Sequence, residues 1–263
     1  MRSIIRFLGL IAILLAGSTI SSAQFPRFKA LGFYSTTVET SHVEFANDAI
    51  KFFRALTEGN GFVFDTTSNM ADLNTAKIKD YQLLVWINDF PHDQAQRDAF
   101  QDYMENGGGW LGFHVAAYND RDTHWPWFVK FLGGAVFYSN NWPPMPVKLI
   151  VDDTSHPVTK GLPKTFIAPI NEWYQWRPSP RENKKVKVLA TLSPDNYPLG
   201  LKDILTGGDV PVVWTNTDYR MIYLNMGHGP HIFTDATQNR LIIAAMRWVV
   251  AIDKKGNVFL KTK

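Results

Sequence analysis

The strongest constraint on the fold of this chain is the alternation of β-like and helix-like segments through its first half. The β-like segments, all rich in apolar residues, are 28–35, 62–68, 80–89 and 110–115. Between them the spacing of apolar residues predicts a helix from about His42 to Glu58 with Ser41 as its N-cap, and Asp93 is predicted to cap a helix ending near Glu105. Strands joined through helices pair in parallel by right-handed crossovers. The first half therefore predicts a mostly parallel sheet flanked by helices.

The second half has little helix between its β-like segments. These segments are 146–153, 185–193, 210–217 and 220–227, and a closing helix is predicted over about 235–250. This order predicts that antiparallel strands extend the same sheet. The Pro- and Asn-rich segments 139–146 and 193–198 are predicted to be long surface loops, and such loops often carry function.

The N-terminal segment has the pattern of a secretory signal peptide. Arg2 and Arg6 precede an apolar run from Phe7 to Ala16, and small residues follow up to Ala23. A membrane anchor is the weaker interpretation, because the uncharged stretch is short and ends in Ser and Thr. We therefore expect an exported protein, periplasmic or extracellular, without a membrane anchor after cleavage. Residues 24–263 are predicted to form a single α/β domain.

Composition excludes several classes of site. The chain of 263 residues has no cysteine, which rules out disulfides, thiolate metal sites and a cysteine nucleophile. The formal net charge of +3 includes two arginines of the predicted signal peptide, so the mature chain is nearly neutral and nucleic acid is not an expected partner. The sequence does not predict an oligomeric state.

Several of the nine tryptophans lie beside polar residues. Trp142 follows two asparagines, and Trp173 and Trp176 lie in the segment "NEWYQW". A flat apolar ring next to hydrogen-bonding groups suits a sugar, so these three are predicted to bind substrate. The alternative is that the rings only pack loops onto the sheet.

Polar residues follow several of the predicted strands. They are His42, Asn88, Asp89, His114 and His228, to which His156 and Glu172 are added from the second half. Ligands of parallel α/β sheets bind beyond the carboxyl ends of the strands, so we expect these side chains to converge there. Imidazoles in such a pocket suit acid/base catalysis or a divalent metal, Zn²⁺ or Mn²⁺, with His114 and His228 as the predicted ligands. The alternatives stay open: His42 as an exposed first-turn residue, and His156 as a residue that shapes the turn before Pro157.

His114 occupies a distinctive place at the end of its strand. The segment "LGFHVAA" has the form of a nucleophile elbow, in which a sharp turn after a strand exposes one side chain, with His114 where serine or cysteine would stand. Because histidine cannot perform thiolate chemistry, the sequence predicts a retained site with a different reaction.

An ordered set of motifs resembles the trehalose-utilisation family, the ThuA-like domain. The motifs are "GGGWLGFHVAA", "DTSHPVTKGLP", "INEWYQW", "PVVWTNTDYRMIYLNMGH" and "AAMRWVV", and the similarity spans roughly residues 28 to 250. The resemblance implies a flavodoxin-like, class I glutamine amidotransferase-like α/β fold without the amidotransferase cysteine. It also implies a role in carbohydrate metabolism.

Several positions match the family pattern and two depart from it. The matching positions are His114, His156, Glu172, Trp214 and His228. The departures are Asn171, where the family commonly has Asp, and the lack of a histidine after Gly133 and Gly134. These departures weaken the case for a family-type metal arrangement.

Two functions follow as hypotheses. The first is an exported enzyme that acts on a sugar or keto-glycoside, by proton abstraction and isomerisation or by cleavage of the glycosidic bond, with or without a metal. His114 and His228 would be the acid/base pair or metal ligands, and Glu172 a general base or orienting carboxylate. The second is a non-catalytic carbohydrate-binding or accessory protein on the same scaffold. Glutamine amidotransferase activity is not expected, because the nucleophile is missing.

Overall fold

The computed structural model describes residues 27–119, 124–196 and 208–250. The predicted signal peptide, residues 1–23, lies outside these ranges. Within the described ranges, no helix combines the length and apolar character needed to cross a bilayer.

The centre of the fold is a nine-stranded sheet. Its strands, in chain order, are β1 (Lys29–Phe33), β2 (Val63–Thr67), β3 (Leu83–Trp86), β4 (Gly109–Phe113), β6 (Met145–Val151), β7 (Thr165–Asn171), β9 (Val186–Leu192), β10 (Pro211–Asn216) and β11 (Arg220–Leu224). The spatial order is β2-β1-β3-β4-β11-β10-β9-β6-β7. β5 (Phe137–Asn140) and β8 (Tyr174–Trp176) pair in a separate small antiparallel sheet.

The sheet divides into a parallel part and an antiparallel part. β2, β1, β3, β4 and β11 are parallel neighbours, while β10, β9, β6 and β7 extend the sheet antiparallel. This confirms the predicted fold class, and the order β2-β1-β3-β4 is that of flavodoxin-like sheets. Since β11 belongs to the parallel part, its C-terminal end shares an edge with those of β1, β3 and β4.

Among the described residues, five α-helices accompany the sheet: α1 (Thr40–Thr57), α2 (Thr75–Ile78), α3 (Gln94–Glu105), α4 (Pro126–Phe131) and α5 (Ala236–Val249). Asp93 caps α3 as predicted, accepting a hydrogen bond from the Gln96 N–H at 2.9 Å. The predicted cap of α1 is wrong. Ser41 lies inside the helix, and Glu39 takes the N-cap position without a side-chain capping bond.

Apolar side chains cover both faces of the sheet, which explains the uninterrupted apolar centre of β3. Leu83 and Val85 point to one face, in the cluster that includes residues of α1 and α5. Leu84 and Trp86 point to the other face, in the cluster that includes residues of α3 and α4. Because the sheet is buried on both faces, the C-terminal ends of its parallel strands hold the side chains that follow them in fixed positions.

Two predicted loops differ from the structure. Segment 139–146 is partly strand, because β5 ends at Asn140 and β6 begins at Met145. In segment 193–198, Pro194–Asn196 forms a 3-10 turn, and residues 197 and 198 lie outside the described ranges. Sequence patterning also missed β7, an edge strand that contains Pro169, since proline weakens a strand prediction.

Candidate active site

Three imidazoles meet beyond the C-terminal edge of the parallel strands. His42 lies in the first turn of α1, His114 directly follows β4, and His228 follows β11. The ring centroids are 5.2 Å apart for His42 and His114, 5.2 Å for His42 and His228, and 5.8 Å for His114 and His228. Residues from three separate parts of the chain thus converge where the sheet topology brings strand ends together.

A sharp turn places His114 in this cluster. Its φ angle is 42°, a left-handed conformation that costs a non-glycine residue roughly 1–2 kcal/mol. A single 3-10 turn, His114–Ala117, follows in place of a long helix. Gly227 makes room for the side chain, because a Cβ at that position would lie 2.4 Å from the Cβ of His114. The strand, turn and glycine together hold a fully buried imidazole under the loop that carries His228.

Both ring nitrogens of His114 have close partners. Nδ1 lies 2.9 Å from the Asn225 carbonyl oxygen, and Nε2 lies 3.2 Å from Oε2 of Glu172. The ring of Tyr174 packs against it with centroids 4.0 Å apart. These contacts leave the His114 ring one orientation.

Two carboxylates flank the imidazoles, and sequence reasoning found only one of them. Glu172, with its side chain 12% exposed, contacts His114. Glu39, with its side chain 54% exposed, approaches the other two rings: Oε1 lies 3.2 Å from Nε2 of His228, and Oε2 lies 3.9 Å from Nδ1 of His42. Glu39 precedes His42 by three residues, and this i, i+3 spacing would have been a signal only if the helix had been predicted to begin at Thr40, where it begins in the structure.

Burial lowers the pKa of two of the three imidazoles, His42 and His114. The pKa of His42 is lowered from 6.5 to about 3, first by burial and then by the proximity of His114 and His228. Burial also lowers the pKa of His114, against the opposing effect of Glu172. The Nε2 atom of His42 is buried and has no hydrogen-bond partner among the described residues. Neutral imidazoles with available lone pairs can accept protons or ligate metals.

Asn88 forms a hydrogen bond with the backbone of His42, whereas Asp89 contacts His92. The Asn88 amide accepts from the Ser35 N–H at 2.8 Å and donates to the His42 carbonyl at 3.0 Å. It therefore positions the backbone that carries His42. The Asp89 carboxylate instead contacts Nε2 of His92 at 2.7 Å.

Two asparagines outside the predicted set connect the loops of the site. Oδ1 of the buried Asn171 accepts from the N–H groups of Gly227 and His228, at 3.0 and 2.9 Å, and its Nδ2 donates to the Asn225 carbonyl at 3.1 Å. Asn140 donates to Oε1 of Glu172. Asn171 thus ties the end of β7 to the His228 loop, and Asn140 fixes Glu172.

Of the three tryptophans predicted to bind sugar, only Trp142 presents an exposed surface. Trp142 is 60% exposed and lies two residues after Asn140. Trp173 and Trp176 are 0% and 1% exposed, so the prediction that their faces bind sugar is corrected. Trp173 donates to the Met145 carbonyl at 2.9 Å. Both rings are part of the hydrophobic core.

His156 lies away from the other predicted residues. Its ring packs against Trp248 with centroids 5.2 Å apart, and both line a cleft of about 560 Å³ with Gly107 and Arg220. Gly107 lies two residues before β4 and Arg220 is the first residue of β11, and the opposite ends of these strands lead to His114 and His228. His156 is therefore at the other edge of the sheet, and its predicted place in the substrate pocket is corrected.

The described residues contain two sets of side chains that could hold a metal ion. One set is Glu39, His42 and His228, and the other is His42, His114 and Glu172, with the ligand atoms of each set within 4.8 Å of one another. The predicted ligands His114 and His228 fall in different sets, which have only His42 in common.

Comparison with known families agrees with this architecture. The ThuA family, described as trehalose utilisation, matches residues 29–249. The chain belongs to the ThuA family. The family description, trehalose utilisation, indicates a role related to carbohydrates. No curated protein matches the chain.

Solved structures support the same assignment. A protein named ThuA-like from Bacteroides uniformis is 58% identical, with a TM-score of 0.85 over 92% of this chain and 98% of that one. A second protein named ThuA-like, from Parabacteroides merdae, is 18% identical, with a TM-score of 0.64 over 90% of this chain and 93% of that one. A Thermoplasma acidophilum protein named as part of a GMP synthase is 11% identical, with a TM-score of 0.51 over 84% and 94% of the two chains. At these last two identities the likeness concerns the fold, which is amidotransferase-like.

Proposed function

We propose that this ThuA-family protein is an exported enzyme that acts on a sugar or keto-glycoside at the cluster of His42, His114, His228, Glu39 and Glu172. The observation that carries the proposal is the convergence of three imidazoles within 5.8 Å of one another, with a carboxylate on either side. Purely structural histidines have no need of such an arrangement. Clusters of titratable groups with perturbed pKa values are typical of catalytic sites.

The reaction that we favour is removal of a proton from the carbon next to a sugar carbonyl, followed by isomerisation or by elimination of the glycosidic bond. Such a reaction needs a base, an acid and a group that stabilises the developing negative charge. Glu172 is the proposed base through Oε1, which accepts a hydrogen bond from Asn140, while its Oε2 faces Nε2 of His114. His228 with Glu39 is the proposed partner that returns a proton, because Glu39 reaches solvent.

A divalent ion, Zn²⁺ or Mn²⁺, is part of the proposal. Its donor set would be imidazole and carboxylate, which suits these ions. When bound, the ion would polarise the sugar carbonyl as a Lewis acid. Trp142 is the proposed platform for a sugar ring, being the exposed tryptophan nearest in sequence to Asn140.

A carbohydrate-binding protein without catalysis is the second candidate. The burial of the imidazoles favours it, because His114, His228 and His42 are 0%, 4% and 7% exposed. A ligand would therefore have to reach the imidazoles past the more exposed side chains of Glu39 and Glu172.

Deuterium exchange separates the two candidates. The purified protein would be incubated in D₂O with 3-keto-trehalose, and in parallel with trehalose, with and without added Mn²⁺ or Zn²⁺. The enzyme predicts deuterium at the carbon next to the carbonyl, detected by NMR, and its loss in Glu172→Gln and His228→Asn. His156→Asn is the matched control and should exchange at the wild-type rate, since His156 lies at the opposite edge. Saturable binding without deuterium incorporation would refute the enzyme and support the binding protein.

A further inference from the structure

We infer that the site holds one divalent cation through His42, His114 and Glu172, and that His228 and Glu39 lie outside its ligand set. This inference deepens the proposed function, because it concerns the same site. It replaces the pair His114 and His228, which the sequence alone suggested as ligands.

The first step is the hydrogen-bond inventory of His114. The Asn225 carbonyl oxygen can only accept, so Nδ1 of His114 must carry a hydrogen and donate to it over 2.9 Å. In the neutral imidazole Nε2 then carries a lone pair. That lone pair lies 3.2 Å from Oε2 of Glu172, which as a carboxylate oxygen is also only an acceptor. Two acceptors at this distance need either a proton or a cation to bring them together.

The second step distinguishes the cation from the proton. The third member of the set, His42, has an Nε2 atom that is buried and has no hydrogen-bond partner among the described residues. A proton between His114 and Glu172 would satisfy those two groups and leave His42 unchanged. A cation bound by all three would take one lone pair from each of His114, Glu172 and His42, and one possible ligand atom of each residue lies within 4.8 Å of the others.

The residues around the set have the form of a supporting shell. A metal-ligating histidine usually donates its second ring N–H to a carbonyl or carboxylate, as His114 does to Asn225. The Glu172 oxygen that does not face His114 accepts from Asn140. Two histidines with one carboxylate form a common three-ligand set for divalent transition metals, with positions left for water or substrate.

The second set, Glu39 with His42 and His228, does not require a cation. Nε2 of His228 can carry a hydrogen and donate directly to Oε1 of Glu39 at 3.2 Å, since no described contact fixes the other tautomer. The Glu39 side chain is 54% exposed, whereas that of Glu172 is 12% exposed. The geometry therefore favours the buried set.

The test measures metal binding rather than activity. Protein dialysed against EDTA would be titrated with Mn²⁺ and with Zn²⁺ by calorimetry, and metal content would be measured by elemental analysis. We expect one ion per chain. Glu172→Gln and His42→Asn should weaken binding by about 100-fold, the upper end of the range seen when groups supporting a metal are lost. The matched controls Glu39→Gln and His228→Asn, which change the same residue types in the other set, should weaken it by less than about 10-fold.

A stability measurement guards against misfolded variants. The amide of Glu172→Gln can donate to Nε2 of His114, so the metal-free variant should melt no lower than the metal-free wild type. Mn²⁺ should raise the melting temperature of the wild type and of the two controls, but not that of Glu172→Gln. The reverse pattern among the four variants, or no binding by the wild type, would overturn the assignment. Binding as expected without deuterium exchange would refute the proposed function and leave the metal site intact. Exchange by a protein that binds no ion would do the opposite.

Discussion

Replacing Gly227 by alanine tests whether the site depends on close contact between the His228 loop and His114. The new Cβ would lie 2.4 Å from the Cβ of His114 and 3.4 Å from its Cγ. Neither Cβ can rotate away, so the backbones must separate by about 1 Å to restore an ordinary contact. Overpacking of this kind typically costs about 1–3 kcal/mol, and at 2 kcal/mol the melting temperature of a chain this size falls by about 4–8 °C. A displacement of about 1 Å can also lower a catalytic rate by about 100-fold.

The assays are thermal unfolding by circular dichroism and deuterium exchange into 3-keto-trehalose. Gly229→Ala is the control from the same loop: its φ of 86° makes alanine strained, but no atom lies within 4 Å of the added Cβ. It should lose about 1–2 kcal/mol of stability while keeping its exchange rate. If Gly227→Ala kept both the stability and the exchange rate of the wild type, the close packing of the loop on His114 would not matter and the reasoning would be refuted.

Three further predictions concern other parts of the site. The pKa of His42 is lowered from 6.5 to about 3, so between these pH values the unfolded chain binds a proton that the folded chain does not bind. The free energy of unfolding of the metal-free protein should therefore fall by up to about 1.4 kcal/mol for each unit by which the pH is lowered from 6.5 to 3. Urea unfolding at several pH values should show that this free energy depends less steeply on pH in His42→Asn. Trp142→Ala should weaken sugar binding measured by calorimetry while the melting temperature stays within about 2 °C, because the ring is 60% exposed; an unchanged affinity would exclude Trp142 as a platform. Asn171→Ala leaves the N–H groups of Gly227 and His228 without their acceptor, so urea unfolding should show a free energy of unfolding lower by about 2–5 kcal/mol. The control Asn47→Ala, at an exposed position of α1, should lower it by less than about 1 kcal/mol. Equal losses in the two variants would contradict the importance of these buried hydrogen bonds.

Local patterning predicted most of the fold. The parallel part of the sheet, the antiparallel extension and the cap of α3 follow from periodicity and capping chemistry, and the structure confirms them. Two of the missed strands, β7 and β8, share a physical cause. β7 is an edge strand interrupted by Pro169, and the three-residue β8 is too short for a pattern to emerge. Their pairing depends on partners distant in sequence rather than on their own residues.

The candidate site was predictable in part. His42, His114, His228 and Glu172 could be expected together, because strand ends of a parallel part of a sheet share one edge. Glu39 was not predicted, since an acidic residue before a helix is usually explained by the helix itself. His156 and the buried Trp173 and Trp176 were misplaced, because the same residue types occur in sites and in cores.

The sequence by itself determined which chemistry is excluded and which family the chain resembles. Without cysteine no thiolate reaction can occur, and that holds for any fold. Only the tertiary structure decided that a lone pair of His114 faces Glu172, because the partner that fixes its tautomer, Asn225, is 111 residues away. Hydrogen bonds act over about 3 Å, and no local pattern specifies which distant groups come within that distance.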